Sequence, residues 1–539
     1  MQHSKILIMI NKNKKNLLVA FSALLLTTAS CNNYLDINDD PNNIALQNVT
    51  PDYILPGAIT NSYYIQARRL NFLSGVMMNS YAGNSYSFGT PLLDEYSPNV
   101  TSTFYGDVWD QIFRPAANFQ TMINFNDSSG KYTQYKAIAR IMKAYYVQIL
   151  TDLYGDIPYT EAFKGQENMT PKYDKGEDIY KASIADLEMA INEITSGKGD
   201  SPESADIVFH GDMNQWKAFA NTLKLRHLIR MSNVTGDMAT FRDQKLASLA
   251  GATFSTEDVL ENPGYSSSSD AQQNPFANYF VYNSSGARPQ NYTLIVPSEH
   301  ISIALNGNNV NNSQAIYQKF NGIIDGRRGR MFTLVNGNVE GVRQGATPGQ
   351  PGAESGRTVS RLGQGITIGS DIATSNAEVL SKSSSKSGVL MSKAEIEFLL
   401  AEAALRYPAN FSGATTHFTA GINASFSYFG ATGSTTYTAA IQAIPGLGIS
   451  NGTFNQKLEA IMTQKWIALT GVNPEQSFFD YTRTGYPITP LPTVAIKTVK
   501  PNRLVYPNSE YVANSANVPK MSNDDVFAKN QYTPFWARN

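Results

Sequence analysis

One cysteine, Cys31, serves all 539 residues of the chain, so whatever folds here stands on its packed core, without an intramolecular disulfide. Its position adds a second constraint. Leu25-Leu26-Thr27-Thr28-Ala29-Ser30-Cys31 has the form of a bacterial lipobox: apolar residues, then small ones, then the cysteine. A basic stretch (Lys12, Lys14, Lys15) and a mainly apolar run from Leu17 to Leu26 precede it, which is the layout of a secretory signal. That run is shorter than the roughly 20 residues of a membrane-spanning helix. A lipidated Cys31 explains both the position and the solitude of the thiol. Residues 1–30 are then a lipoprotein signal peptide with its start at Met1 or Met9, and 31–50 are the acylated (palmitate-type) cysteine and a polar tether. Each buried CH₂ of such an anchor contributes about 0.8 kcal/mol, and two acyl chains hold where one does not.

The remaining chain is long enough to bury a large core. Charged residues make up 16% and the formal charge is −1, which gives no electrostatic case for nucleic acid. Uncharged amides, hydroxyls and 29 tyrosines fill the difference, and tyrosine suits both core edges and contact surfaces.

Apolar residues recur at helical spacing in several segments. Ile138, Ile141, Met142, Tyr145, Ile149 and Leu153 mark a helix over Lys131–Tyr154, stopped by Gly155 and Pro158. Tyr180, Ile184, Leu187, Ile191 and Ile194 mark another over Gly176–Ile194, and Asp212 is placed to cap a third. Asp52–Asn79, Thr103–Phe125, Ser392–Leu405, Gly413–Phe429 and Phe454–Leu469 read as helices too, with Trp109, Trp216 and Trp466 turned to the core. Short polar connections favour antiparallel neighbours. The expected fold is mostly α, with tetratricopeptide-like helix pairs packed with a loop-rich subdomain. That subdomain is the Gly-, Ser-, Asn- and Pro-rich stretch 251–387, in which 266–269, 336–356 and 381–387 read as loops.

Catalytic signatures do not assemble. The histidines His210, His227, His300 and His417 form no metal-ligand spacing, and no cysteine is left for zinc. Gly363-Gln-Gly-Ile-Thr-Ile-Gly369 places its third glycine one residue late for a dinucleotide loop, and Ser383-x-x-Lys386 lacks the companion motifs of penicillin-binding enzymes. Asp36, Asn38 and Asp40 begin like a calcium loop, but Pro41 stands at the obligatory glycine. Asp94/Glu95, Asp107/Asp110 and Glu395/Glu397 are paired carboxylates of the type a glycosidase uses, but without a recognisable frame they read as helix caps or solvated charges. The expectation is a protein without enzymatic activity, without a cofactor and without a metal site assignable from sequence.

The mature start Tyr34-Leu-Asp-Ile-Asn-Asp-Asp-Pro-Asn-Asn43 resembles that of SusD/RagB-type lipoproteins. Leu153-Tyr-Gly-Asp-Ile-Pro-Tyr-Thr-Glu-Ala162, Pro171-Lys-Tyr-Asp174 and Gly211-Asp-Met-Asn-Gln-Trp216 leading to Arg226 and Arg230 follow in the family's order. So do Ala401-Glu-Ala403, Gln464-Lys-Trp-Ile-Ala-Leu469, Asp480-Tyr-Thr-Arg-Thr-Gly-Tyr-Pro487 and Pro501-Asn-Arg-Leu-Val-Tyr-Pro507. The resemblance implies one helical nutrient-binding domain over 51–539, on an outer-membrane lipoprotein facing outwards. It also implies capture of an oligosaccharide or peptide for a TonB-dependent, SusC-type transporter. The family places acidic residues directly after its cysteine, whereas here the first are Asp36, Asp39 and Asp40. Its sugar-holding aromatic cluster has no counterpart that transfers residue by residue. The alternatives are a surface adhesin and, further off, a lipid-anchored hydrolase of glycans or peptides.

Rings beside amides are how an uncharged sugar is held, and two segments combine them. One supplies Asn79, Tyr81, Asn84, Tyr86 and Phe88; the other supplies Asn274, Phe276, Tyr279 and Tyr282, with Arg288 close by.

Overall fold

Apolar residues three and four apart give helices a buried stripe, and the longer helices of this chain carry it. In chain order they are α1 (Pro51–Ile65), α2 (Asp107–Asn124), α3 (Thr133–Tyr154), α4 (Gly176–Thr195), α5 (Met213–Arg230) and α6 (Gly236–Ala247). They continue as α7 (Glu299–Asn306), α8 (Asn376–Ser385), α9 (Lys393–Arg406), α10 (Ala414–Phe429), α11 (Ser434–Ile441), α12 (Phe454–Leu469) and α13 (Pro474–Thr484). The structure, a computed structural model, describes residues 49–307 and 314–539, so Cys31, the signal and the tether lie outside it.

Sequence neighbours pack as pairs: α1 on α2, α2 on α3, α3 on α4 and α4 on α5. A second set joins α9 to α10 and α12, and α12 to α13. Helix α9 also meets α5, while α13 packs on a short helix, Asn71–Met77. Both ends of the described chain therefore share a core, which runs from Leu55 to Trp536 and includes Trp109, Trp216 and Trp466. Asp212 caps α5 as its sequence indicated, accepting from the Asn214 and Gln215 amides at 3.0 and 3.2 Å.

Inside the bundle, charges replace part of the apolar packing. Arg230 on α5 meets Asp152 of α3 at 3.2 Å and Asp480 of α13 at 3.0 Å. Arg483 bridges Asp480 at 3.0 Å to Glu402 of α9, and Lys465 of α12 reaches Asp480 at 2.8 Å. Burial alone would raise the Asp480 carboxyl, but Lys465, Arg230 and Arg483 outweigh it and hold it well below the carboxylate range.

Two stretches depart from the sequence reading. The helix expected over Asp52–Asn79 is interrupted by a wide π turn at Gln66–Leu70, where the Asn71 amide bonds back to the Gln66 carbonyl. Its cause is tertiary. The buried Gln66 amide donates to Tyr145 Oη at 2.9 Å, Asn473 Oδ1 at 3.2 Å and Glu475 Oε1 at 3.0 Å. Of the serine-rich run expected as loop at 381–387, residues 381–385 instead complete α8, while 386 and 387 are non-helical as expected. Ser375 caps that helix, and Ser383 and Ser384 are buried.

Three two-stranded antiparallel ladders close the connections. β1 (Tyr81–Gly83) pairs with β5 (Ile295–Pro297), β2 (Ile157–Pro158) with β3 (Tyr173–Asp174), and β4 (Val259–Glu261) with β6 (Gly388–Met391). The β1–β5 ladder, in register Tyr81↔Pro297, draws the loop after Met77 against the middle third of the chain. Gly75 permits this approach, since a Cβ there would meet the Tyr81 ring at 2.4 Å.

Candidate ligand-binding face

The β1–β5 pairing ties the first ring-and-amide segment to residues 295–297, and the Tyr81 ring meets Phe280 of the second segment at 6.3 Å between centroids. Their side chains then divide. Asn79, Tyr81, Asn84, Asn274, Phe276 and Tyr282 are buried. Asn79 donates to Gln344 Oε1 at 2.9 Å and accepts from Lys500 Nζ at 3.1 Å. Asn84 donates to Ser87 and to the Thr293 carbonyl, and Tyr81 donates to Asn71 Oδ1 at 3.2 Å. Asn274 caps the short helix Pro275–Phe280 and donates to the Lys386 carbonyl at 2.8 Å. These groups frame the face from beneath. Tyr86, Phe88 and Tyr279 are half-buried and Arg288 is exposed, so these four reach its surface. Tyr86 is fixed there by donating to the Glu354 carbonyl at 2.8 Å.

Four further residues complete the face, and the sequence reading missed all of them. The π turn sets Arg68 between two rings, with its guanidinium carbon 4.4 Å from the Tyr64 centroid and 4.6 Å from that of Tyr279. Tyr64 is 44% exposed, and Tyr279 is backed edge-on by Phe72. A second stack follows along the same segment. Arg288 lies 3.4 Å from the Tyr282 centroid and 4.0 Å from that of Tyr292. Arg361 reaches the same turn, donating from Nη1 to the Thr293 carbonyl at 2.8 Å. Tyr64 and Arg68 stand four apart, the spacing that brings side chains together on a helix, so part of this signal was in the sequence. Nothing local ties either to Tyr279.

Cations over ring faces are favourable, and each stack holds its members in place before any ligand arrives. Such a surface offers ring planes for apolar ligand faces and guanidinium edges for oxygen acceptors.

A cleft of about 750 Å³ lies elsewhere, beside α8, α10 and β6. Tyr428 is its one aromatic side chain, and Lys386 Nζ covers that ring at 5.0 Å. Two of its cations are engaged within the protein: Lys393 pairs with Glu257 at 3.0 Å, and Lys386 donates to the Ile366 carbonyl at 3.0 Å. It therefore presents no free ring plane. Among the described residues, no cluster of three or more His, Cys, Asp or Glu side chains is placed to hold a metal. Burial pushes both His227 and His300 down to about 3, so neither titrates near neutral pH. No described helix is long and apolar enough to cross a membrane.

Comparison with known proteins addresses the whole domain. No curated protein matches the chain. A chitin-binding SusD homologue from Flavobacterium johnsoniae superposes with a TM-score of 0.65 at 22% identity, covering 90% of this chain and 98% of the homologue. A SusD homologue from Bacteroides uniformis gives 0.66 at 24% identity, covering 90% and 100%. One from Bacteroides thetaiotaomicron gives 0.63 at 21%, covering 91% and 100%. At these identities the superpositions establish the fold, helical with tetratricopeptide-like pairs. The profile of the SusD-like family, described as starch-binding and associating with outer membrane, matches residues 41–507, and the chain belongs to that family.

Proposed function

We propose that the protein is a surface lipoprotein, acylated at Cys31, which captures a glycan on the Tyr/Arg face. It delivers that glycan to a SusC-type, TonB-dependent transporter without chemically altering it. The observation that carries this reading is the concentration of accessible rings and guanidiniums on one face of a chain whose family is described as starch-binding. Rings 4–5 Å from a guanidinium are rigid platforms, and stacking on them needs little ordering of the protein. The chitin-binding homologue supports a saccharide over a peptide as cargo.

The test has two arms. Calorimetric titration of the mature chain with a panel of oligosaccharides and peptides should give saccharide binding that Tyr64→Ala or Tyr279→Ala weakens, with the added sugar recovered uncut. Extraction of the tagged full-length protein from its own outer membrane should recover an equimolar TonB-dependent barrel. Peptide binding alone would replace the cargo. Recovery without a barrel would turn the assignment towards a free-standing binder or adhesin.

A further inference from the structure

The two stacks have a charge pattern that the net charge of −1 conceals. Other arginines near the face are neutralised: Arg69 by Asp107 at 2.9 Å, Arg343 by Glu299 at 2.7 Å, and Arg357 by Glu354 at 2.7 Å and by Glu340. Arg68, Arg288 and Arg361 are not. Among the described residues no carboxylate comes within 4.0 Å of any of them. Their polar partners are neutral: Tyr64 Oη for Arg68, the Val281 carbonyl for Arg288 at 3.0 Å, and the Thr293 carbonyl for Arg361. Asp270 is the one acid in the stretch 270–294, and it accepts from the Ser284 amide at 2.7 Å.

A half-buried guanidinium stays charged and bears a desolvation cost that an opposite charge would relieve. Burial lowers the affinity of Arg68 and Arg361 for their protons, which expresses the same cost. Arg68 and Arg288 each lie within 5 Å of two ring centroids and spend one Nη1 on a neutral oxygen, Tyr64 Oη or the Val281 carbonyl, which leaves the remaining edge of each fork without a polar partner among the described residues. That edge matches the two oxygens of a carboxylate. Towards Tyr86 the balance reverses, with Glu340 and Glu354 against Arg357 alone.

We infer that the face selects an acidic saccharide: a uronate-containing oligosaccharide whose carboxylates meet Arg68, Arg288 and Arg361 while its ring faces lie on Tyr64, Tyr279 and Tyr292. Its uncharged portion extends towards Tyr86. This inference rests on the glycan-binding reading and narrows it.

The probes are a galacturonate tetrasaccharide, its methyl ester, a neutral galactose tetrasaccharide, and a glutamate-rich peptide of matched charge. Each is titrated into the mature chain at about 50 and about 500 mM NaCl. The acid should bind at least tenfold more tightly than its ester at low salt, and the gap should shrink at high salt. Arg68→Gln and Arg288→Gln should each weaken binding of the acid about tenfold more than binding of the ester, with the thermal midpoint near the native value. Equal binding of acid and ester, or equal losses for both in the arginine variants, overturns the charge selection. Binding of neutral sugars alone, weakened by Tyr279→Ala, also overturns it but leaves the glycan-binding reading standing. A peptide that outcompetes the uronate, or no saccharide binding at all, overturns both.

Discussion

Two groups of arginines in this protein do opposite work. In the bundle, Arg230 and Arg483 are buried among Asp152, Glu402 and Asp480, and each is ion-paired with two of these acids. On the face, Arg68 and Arg288 lie between rings with no acid beside them. The first arrangement locks helices that are hundreds of residues apart. The second forgoes a partner and keeps charge available at the surface. The lesson is that side-chain type says little about role; the identity of the neighbours decides it.

The largest effect should follow from breaking the buried set. Arg483→Ala leaves Glu402 and Asp480 short of a partner in a dry site, and should cost about 3–5 kcal/mol in urea unfolding. A loss below about 1 kcal/mol would erase the distinction between the two groups. The next effect concerns buried acids that lack a cation. Burial pushes both Glu261 and Glu475 up to about 8. A carboxyl held above its ordinary 4.5 stabilises the fold fully below that pH, and the contribution is lost as pH rises through about 8. Stability should therefore fall between pH 5 and 8. Glu475→Gln, which keeps an acceptor for Gln66, should flatten that fall by about 2 kcal/mol, read from denaturation midpoints across the range. An unchanged slope would assign the pH dependence to other groups.

On the face, effects should appear in binding before they appear in stability. Tyr64→Ala removes an exposed ring and should weaken saccharide binding by about 0.5–1.5 kcal/mol, with little change in the thermal midpoint. Smallest of all is Arg68→Lys, expected to move stability by no more than about 0.5 kcal/mol. It should still reduce acid-over-ester selectivity, because an ammonium cannot present a flat fork from between two rings.

The sequence showed what depended on near neighbours. The stripe Tyr180, Ile184, Leu187, Ile191, Ile194 marked α4 to within a residue, and Asp212 marked the start of α5. It could not show the π turn, whose cause is a bond from Gln66 to Glu475 across 409 residues. Nor could it show that Ser383 and Ser384 are buried in a helix, since serine composition alone reads as loop. For the candidate face, rings beside amides singled out two segments whose rings the structure brings into contact, Tyr81 against Phe280. They did not say which side chains would surface. Asn79, Asn84 and Asn274 are committed to bonds within the protein, whereas Tyr64, Tyr292 and Arg361 arrive from segments that the sequence reading did not single out.

The wide turn at Gln66–Leu70 also makes this face sensitive to chain length. A π turn holds one residue more than an α turn, so deleting a single residue there would restore ordinary helix. The residues within the turn would then shift by one position, about 100° around the axis, relative to the flanking helix that the wide turn keeps in phase. Gln66 would lose Glu475, or Arg68 would lose Tyr279, because a regular helix cannot keep both. The segment should therefore accept exchanges of residue type far more readily than a change in their number. A one-residue deletion would rotate the turn's part of the binding surface rather than merely remove a side chain.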